Sequence, residues 1–259
     1  MMSTKYNSME LMICIAARSL EDGAVVVVGT GVPCAAAMLA QMTKSPNLTV
    51  LFEAGGIAPL LPAMPISVGD SRTTHKGLKA TSMAEIMELC QAGIVDYCFL
   101  GGAQIDKYGN LNSTIIGDNH SKPKTRFPGS GGANDLASLC WKTLVVTPQN
   151  KQRFAKKVDF VTTPGYLEGG NSREEAGLPK NTGPHRVITD LGVYGYQKDS
   201  KEMELISLHP GKTIHDVKEN AEFDIIIPDS YEITKEPTAE ELTILREKVD
   251  PKKMIIGRG

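Results

Sequence analysis

Short, unbroken apolar runs alternate with segments of helical period along this chain, and that alternation limits the fold more than any other feature. The runs are "AVVVVG" at 24–29, "LTVLFE" at 48–53, "IVDYCFLGG" at 94–102, "TLVVT" at 143–147 and "VDFVT" at 158–162. A strand that is apolar on both faces has to be covered on both faces, and the intervening helices supply the cover. The pattern therefore predicts an α/β fold: an open, mostly parallel sheet with helices on both faces.

The spacing predicts a helix over 8–21, with Ser8 as N-cap and Gly23 as its stop, and a second over 33–42 with Pro33 in the first turn. A third spans 82–93 and opens on a Ser82/Glu85 capping box; a short one covers 135–141. The pattern changes from about residue 186. Segments 185–196 and 201–211 read as a hairpin, followed by capped helices near Thr213 and Thr238, the second with Glu241 completing its box after Pro237. The Gly/Pro-rich stretch from Thr163 to Pro184 is long for a loop and reads equally as a lid, a partner-binding segment or a surface excursion. No repeat or flexible linker divides the chain, so a single domain over 1–259 with a C-terminal elaboration is expected.

The bulk composition excludes several classes. A net charge of −2 points away from nucleic acid and from anionic membrane as partners. No stretch approaches the roughly 20 apolar residues that span a bilayer. The 5 cysteines (Cys14, Cys34, Cys90, Cys98 and Cys140) are dispersed and contain no CxxC, as in a reduced, cytoplasmic protein. The 5 histidines show no paired ligand spacing, so no metal is expected.

In open parallel sheets ligands bind beyond the carboxyl ends of strands. Three such ends carry unusual residues: "GTGVP" at 29–33, Glu53-Ala-Gly-Gly, and Gly101-Gly102-Ala-Gln104-Ile-Asp106. A further glycine-rich element, Gly129-Ser-Gly131-Gly132-Ala-Asn134-Asp135, precedes a short helix. The first lacks the third glycine of a dinucleotide fingerprint, there is no phosphate-binding GxxxxGK[ST], and "PGSGG" is not a GxSxG elbow. Glu53 stands out. A carboxylate at the mouth of a buried strand is partly desolvated, which raises its nucleophilicity. Gly55 and Gly56 are expected to leave room for a large substrate. The Gly101-Gly102 and Gly131-Gly132 turns can present backbone N–H groups to an oxyanion, although tight turns would also explain them.

These blocks together resemble the family I coenzyme A transferases, specifically beta subunits of the glutaconate CoA-transferase type. The most specific stretches are "FLGGAQIDKYGNLNSTIIGD" and "HSKPKTRFPGSGGAND", with "VVVVGTGVP", "VTTPGY" and "VITD" in support, and the likeness runs over nearly the whole chain. The resemblance implies the open α/β sheet of that family, related to the NagB-like fold, and a separate alpha subunit. It implies that Glu53 is the nucleophile that forms a mixed anhydride and then a glutamyl-CoA thioester. Gln104 and the amides near Gly131, Gly132 and Asn134 would serve as oxyanion donors, and Gly101 and Gly102 would line the thioester channel. CoA thioesters and small carboxylic acids would be the substrates, with no tightly bound cofactor. Where several members carry Ser or Asn after the nucleophile, this chain has Ala54.

Two other readings stay open. On the same fold Glu53 would act as a general base in an acyl-CoA hydrolase or ring-opening lyase; or the chain would be a non-catalytic CoA-binding subunit, which a retained Glu53 disfavours. The basic cluster Lys122, Lys124 and Arg126 reads first as a solvated loop or subunit contact, with CoA phosphates as the alternative.

Overall fold

The computed structural model describes residues 5–257, and these form two compact units. The first runs to Phe99 and takes the chain back from Lys235 onward; the second is Leu100–Thr234.

The first unit opens with α1 (Ser8–Arg18) and β1 (Val25–Val28), then α2 (Val32–Gln41), β2 (Thr49–Phe52), β3 (Gly56–Ile57), β4 (Lys79–Ala80), α3 (Met83–Gln91) and β5 (Tyr97–Leu100). β1 lies between β2 and β5 and is parallel to both, with Val28 opposite Phe52 and Val27 opposite Cys98. β3 and β4 add antiparallel to β2. The carboxyl ends of the three parallel strands therefore share one edge of the sheet. The valines of β1 are buried from Val26 onward, as a strand covered on both faces requires. α2 offers Ala35, Ala36, Ala37 and Ala40, all buried, so α1 can pack closely against it. None of the five cysteines forms a disulfide.

The cap of α1 differs from expectation. Asn7, not Ser8, is the N-cap: its Oδ1 accepts from Glu10 N at 2.9 Å, and Glu10 accepts from Asn7 N. The helix stops at Arg18, because Ser19 caps it and Gly23 lies beyond, in a turn with φ +80°. Ser82 accepts from Glu85 N as expected, but the Glu85 carboxylate turns to Lys79 and Thr81 instead of closing the box.

The second unit begins with two small hairpins, β6 (Gln104–Ile105) with β7 (Leu111–Asn112) and β8 (Ile115–Ile116) with β9 (Thr125–Arg126). α4 (Ala133–Leu139), β10 (Lys142–Val146), α5 (Ser172–Glu175), β11 (Gly183–Ile188), β12 (Gly192–Tyr196), β13 (Met203–Leu208), α6 (Ile214–Glu219) and β14 (Glu232–Ile233) follow. β10 pairs with β11 in parallel, and the segment 185–196, expected as one strand of a hairpin, turns back on itself at 189–191, so that β11, β12 and β13 form an antiparallel run in which only β12–β13 is the expected pairing, with β14 parallel to β13. Phe154 and Tyr194, both fully buried, anchor the core with Val187, Leu205 and Val217. Val158–Thr162 is not a strand. Phe160 and Val161 are both exposed, and the N–H groups of Thr162 and Thr163 share one carbonyl, that of Leu111, so no ladder forms. The long Thr163–Pro184 stretch is pinned from inside by Arg173, only 2% exposed, whose guanidinium donates to the carbonyls of Pro164, Gly165 and Ala137 and to Thr182 Oγ1.

The chain then returns to the first unit through α7 (Ala239–Ile244), capped by Thr238 with Glu241 as expected. Two ion pairs hold this return on α1: Arg18 with Glu241, and Arg246 with the buried Glu10. Among the described residues no helix is long and apolar enough to cross a membrane.

Burial raises the Glu10 carboxyl pKa, but hydrogen bonds from Arg246 and the Asn7 amide, with the Arg246 charge, outweigh it and leave the group below its ordinary 4.5. A carboxylate depressed in the folded state adds stability above its unfolded pKa and loses it as pH falls through the folded value. Urea unfolding should therefore show stability falling as pH drops below about 4.5. Arg246→Met, which strands the Glu10 carboxylate, should cost about 1–3 kcal/mol at pH 7.

Candidate functional site

Glu53 follows the last residue of β2 in the first unit and is partly buried. Parallel pairing of β2 with β1 places it on the carboxyl edge of the sheet, where backbone groups end their ladder and a side chain can meet a ligand. A turn closes behind it, with Gly55 N donating to Phe52 O at 2.9 Å, and the chain reverses into β3. Ala54 is exposed.

Gly55 and Gly56 do not serve as clearance for substrate, as the sequence suggested. Gly55 has φ +116°, and a Cβ there would lie 2.0 Å from the Thr81 carbonyl oxygen; one on Gly56 would lie 1.9 Å from that of Thr73. Both glycines are buried against the chain's own backbone. Their absent side chains let the backbone at Thr81 and Thr73 close on the turn, and that closure fixes the backbone that carries Glu53.

The other predicted residues belong to the second unit. Gly101 is exposed, with open space where a Cβ would stand, whereas Gly102 is tight against Asn112 O and Gln104 O. Gly101 thus leaves an approach to the backbone; Gly102 is required by packing. Gln104 is 7% exposed, and its Oε1 accepts both from Asn112 Nδ2 at 2.7 Å and from Asp159 N at 2.9 Å. Two donors on one oxygen settle which end of the amide is which, and Nε2 is the end that remains to donate.

Asn112, fully buried, escaped the sequence reading. Its Nδ2 also donates to Ile115 O, and its Oδ1 accepts from Thr114 N, so one amide holds Gln104 and shapes the turn into β8. The neighbouring Ser113 binds Gly129 twice, N–H to carbonyl in one direction and Oγ–H to carbonyl in the other. Thr162 Oγ1 accepts from Ser113 N, while its carbonyl accepts from Asn134 Nδ2 at 2.9 Å. The "GGAQID" and "GSGGAND" blocks are therefore joined through residues 112–114 and Thr162. Asn134, exposed, uses its amide for that tie. Gly131 is exposed with φ +50°, and Gly132 is buried as the N-cap of α4. Asn112 lies inside the block "FLGGAQIDKYGNLNSTIIGD", but nothing local says that its amide faces Gln104.

Asp106 closes the β6–β7 turn: its Oδ1 accepts from the N–H groups of Tyr108 and Asn110, and its Oδ2 from Asn110 Nδ2. Burial nevertheless pushes its carboxyl above the ordinary range. Among the described residues no group of three His, Cys, Asp or Glu is placed to hold a metal ion.

Asn112→Ala should lower the unfolding free energy by about 2–3 kcal/mol, because it leaves the buried carbonyl and N–H of Ile115 without their partner. Asn134→Ala, at an exposed position, should cost about 1 kcal/mol or less. Urea titrations of the two variants test the difference.

Residues 9–220 match the family model for Coenzyme A transferase. The chain is 39% identical over 242 residues to the B subunit of 3-oxoadipate CoA-transferase from Pseudomonas knackmussii, covering 93% of this chain and 92% of the relative. It is 38% identical over 253 residues to the B subunit of glutaconate CoA-transferase from Acidaminococcus fermentans, covering 96% and 94%. The crystal structure of glutaconate coenzyme A-transferase from that organism superposes with a TM-score of 0.93 at 35% identity, over 99% of each chain. A subunit of a cholesterol ring-cleaving hydrolase from Mycobacterium tuberculosis is 29% identical over 160 residues, 60% of each chain. With a matching model over most of its length and relatives this similar end to end, the chain belongs to the coenzyme A transferase family.

Proposed function

We propose that this chain is the catalytic B subunit of a cytoplasmic, heteromeric CoA-transferase that moves CoA between an acyl-CoA and a dicarboxylic acid, with Glu53 as nucleophile. One observation carries the reading. A carboxylate ends a parallel strand on the sheet's carboxyl edge, in a chain 38% identical over 253 residues to a glutaconate CoA-transferase subunit. Glutaconate and 3-oxoadipate, the acids named for the two relatives, are both short dicarboxylates, which sets the expected substrate class. Both relatives are B subunits, so a separate alpha subunit is the expected partner.

In this reading a Glu53 oxygen attacks the thioester carbonyl, the C–S bond breaks, and CoA leaves as its thiolate with a mixed anhydride on Glu53. The thiolate then attacks the Glu53 acyl carbon, releasing the first carboxylate and leaving a glutamyl-CoA thioester. The acceptor carboxylate runs both steps in reverse. This is covalent, ping-pong catalysis, and every group it needs is a carboxylate or a thiol, so it calls for no cofactor beyond CoA. Oxyanion charge develops at each tetrahedral stage. Gln104 Nε2 and the amides at Gly131 and Gly132 are the proposed donors, with Asn134 holding the second loop, Gly101 open to the thioester and Gly102 shaping that turn.

A hydrolase with Glu53 as general base is the second reading, and the similarity to a ring-cleaving hydrolase subunit favours it. Acceptor dependence separates the two. Without a second carboxylic acid a transferase stops after one equivalent of the original acid per site and frees no CoA, whereas a hydrolase goes on liberating free CoA.

Assembled with its partner subunit, Glu53→Gln should lose exchange by about 10³-fold or more while keeping its fold and its association. Incubating the wild-type complex with acyl-CoA and no acceptor should add the mass of CoA, less water, to this chain, and borohydride or hydroxylamine should then release that CoA and leave Glu53 marked as an alcohol or a hydroxamate. Full exchange activity in Glu53→Ala would end the reading.

A further inference from the structure

The β8–β9 hairpin carries three cations that the catalytic reading does not use. Its ladder pairs Ile115 with Arg126 and Ile116 with Thr125. Asn119 closes the tip by accepting from the N–H groups of Ser121 and Lys122, and Arg126 Nη2 reaches back to His120 O at 2.6 Å. Lys122, Lys124 and Arg126 are all exposed on this hairpin. Among the described residues neither Lys122 nor Lys124 has an ion-pair partner. Two acids lie close in the chain and the contacts: Asp118 on the tip, and Asp159, whose Oδ2 accepts from Gly117 N.

An aromatic surface adjoins the cations. The His120 ring rests on Phe160 with centroids 5.7 Å apart and planes at 39°. Phe160 stays 37% exposed and Val161 45% exposed, although both are large and apolar. The same strip leads to the candidate oxyanion donor, because Asp159, directly before Phe160, donates its N–H to Gln104 Oε1 at 2.9 Å. Cations for phosphate beside an open ring for a base form the combination that a nucleotide requires.

We infer that the β8–β9 hairpin with Phe160 binds the nucleotide end of CoA, Lys122, Lys124 and Arg126 meeting its phosphates and the His120–Phe160 pair its adenine. The inference rests on the CoA-transferase reading and adds where the anionic half of the substrate sits.

The test uses the complex with its partner subunit and compares acyl-CoA with the corresponding S-acyl pantetheine, which has the thioester but no phosphates or adenine. K122Q/K124Q/R126Q should raise KM for acyl-CoA about tenfold, with kcat and the acceptor KM within about twofold. KM for the pantetheine thioester should not change, and the rise of acyl-CoA KM with salt should flatten. K122Q/K124Q, which keeps the Arg126–His120 bond, should show the same pattern in smaller measure, and Phe160→Ala should act on acyl-CoA alone. An unchanged acyl-CoA KM, or an equal rise for both thioesters, would overturn the assignment. So would a triple variant whose complex dissociates on gel filtration, which would make the hairpin a subunit contact. Calorimetric binding of CoA to complexes that also carry Glu53→Gln reads the hairpin without turnover. Weaker binding there supports the hairpin even if Glu53 proves not to be the nucleophile.

Discussion

The pairing of β1 with β2 is the constraint on which the candidate nucleophile depends. With Val25 opposite Thr49 and Val28 opposite Phe52, the two strands end together, and the next residue on the second is Glu53. A shift of one residue would exchange the faces to which Val50, Leu51 and Phe52 point, and because both faces are covered each side chain would meet packing shaped for another. Buried Val50, Leu51 and Phe52 oppose that shift through the apolar surface they hide. The turn behind Glu53 is then braced by the backbone at Thr81, just after β4, and at Thr73, which approach so closely that neither Gly55 nor Gly56 has space for a Cβ. On such a support the backbone position of the Glu53 carboxylate is fixed by the fold before any ligand arrives.

The second unit meets a different demand with hydrogen bonds. Gln104 can donate in a defined direction only if its oxygen is held, and Asn112 and the Asp159 amide hold it. Asn112 is in turn fastened to Ile115 and Thr114, and residues 113 and 162 tie the same layer to Gly129 and Asn134. Buried polar networks of this kind stay put because any member left without its partner is costly. The backbone of two glycine-rich loops, free to adopt many conformations as isolated peptides, is held in one.

Much of this was legible in the residues. The apolar runs at 25–28, 49–52, 97–100 and 142–146 are strands, and the helices start at the caps expected for Ser82, Thr213 and Thr238. The errors have physical causes. Ser8 and Asn7 are both good caps, and Asn7 wins because Glu10 stands three residues after it and closes the box. Val158–Thr162 has the composition of a strand, but no neighbour offers it a row of partners, and one carbonyl takes two of its N–H groups. The buried Arg173 gave no signal, since an arginine between two polar stretches looks like surface until the carbonyls of residues 137, 164 and 165 gather around it.

By itself the sequence determined the kinds of elements, the position of a carboxylate at the end of a buried strand, and membership of a family through blocks such as "GGAQID" and "GSGGAND". Local periodicity, caps and strand ends depend on neighbours in the chain, so they can be read without coordinates. The tertiary structure decided what each glycine and amide does. Gly55 faces Thr81 and Gly56 faces Thr73, Gln104 meets Asp159, and His120 rests on Phe160. These partners lie from 17 to 55 residues apart, and steric limits and hydrogen-bond directions act only once folding has brought them into contact.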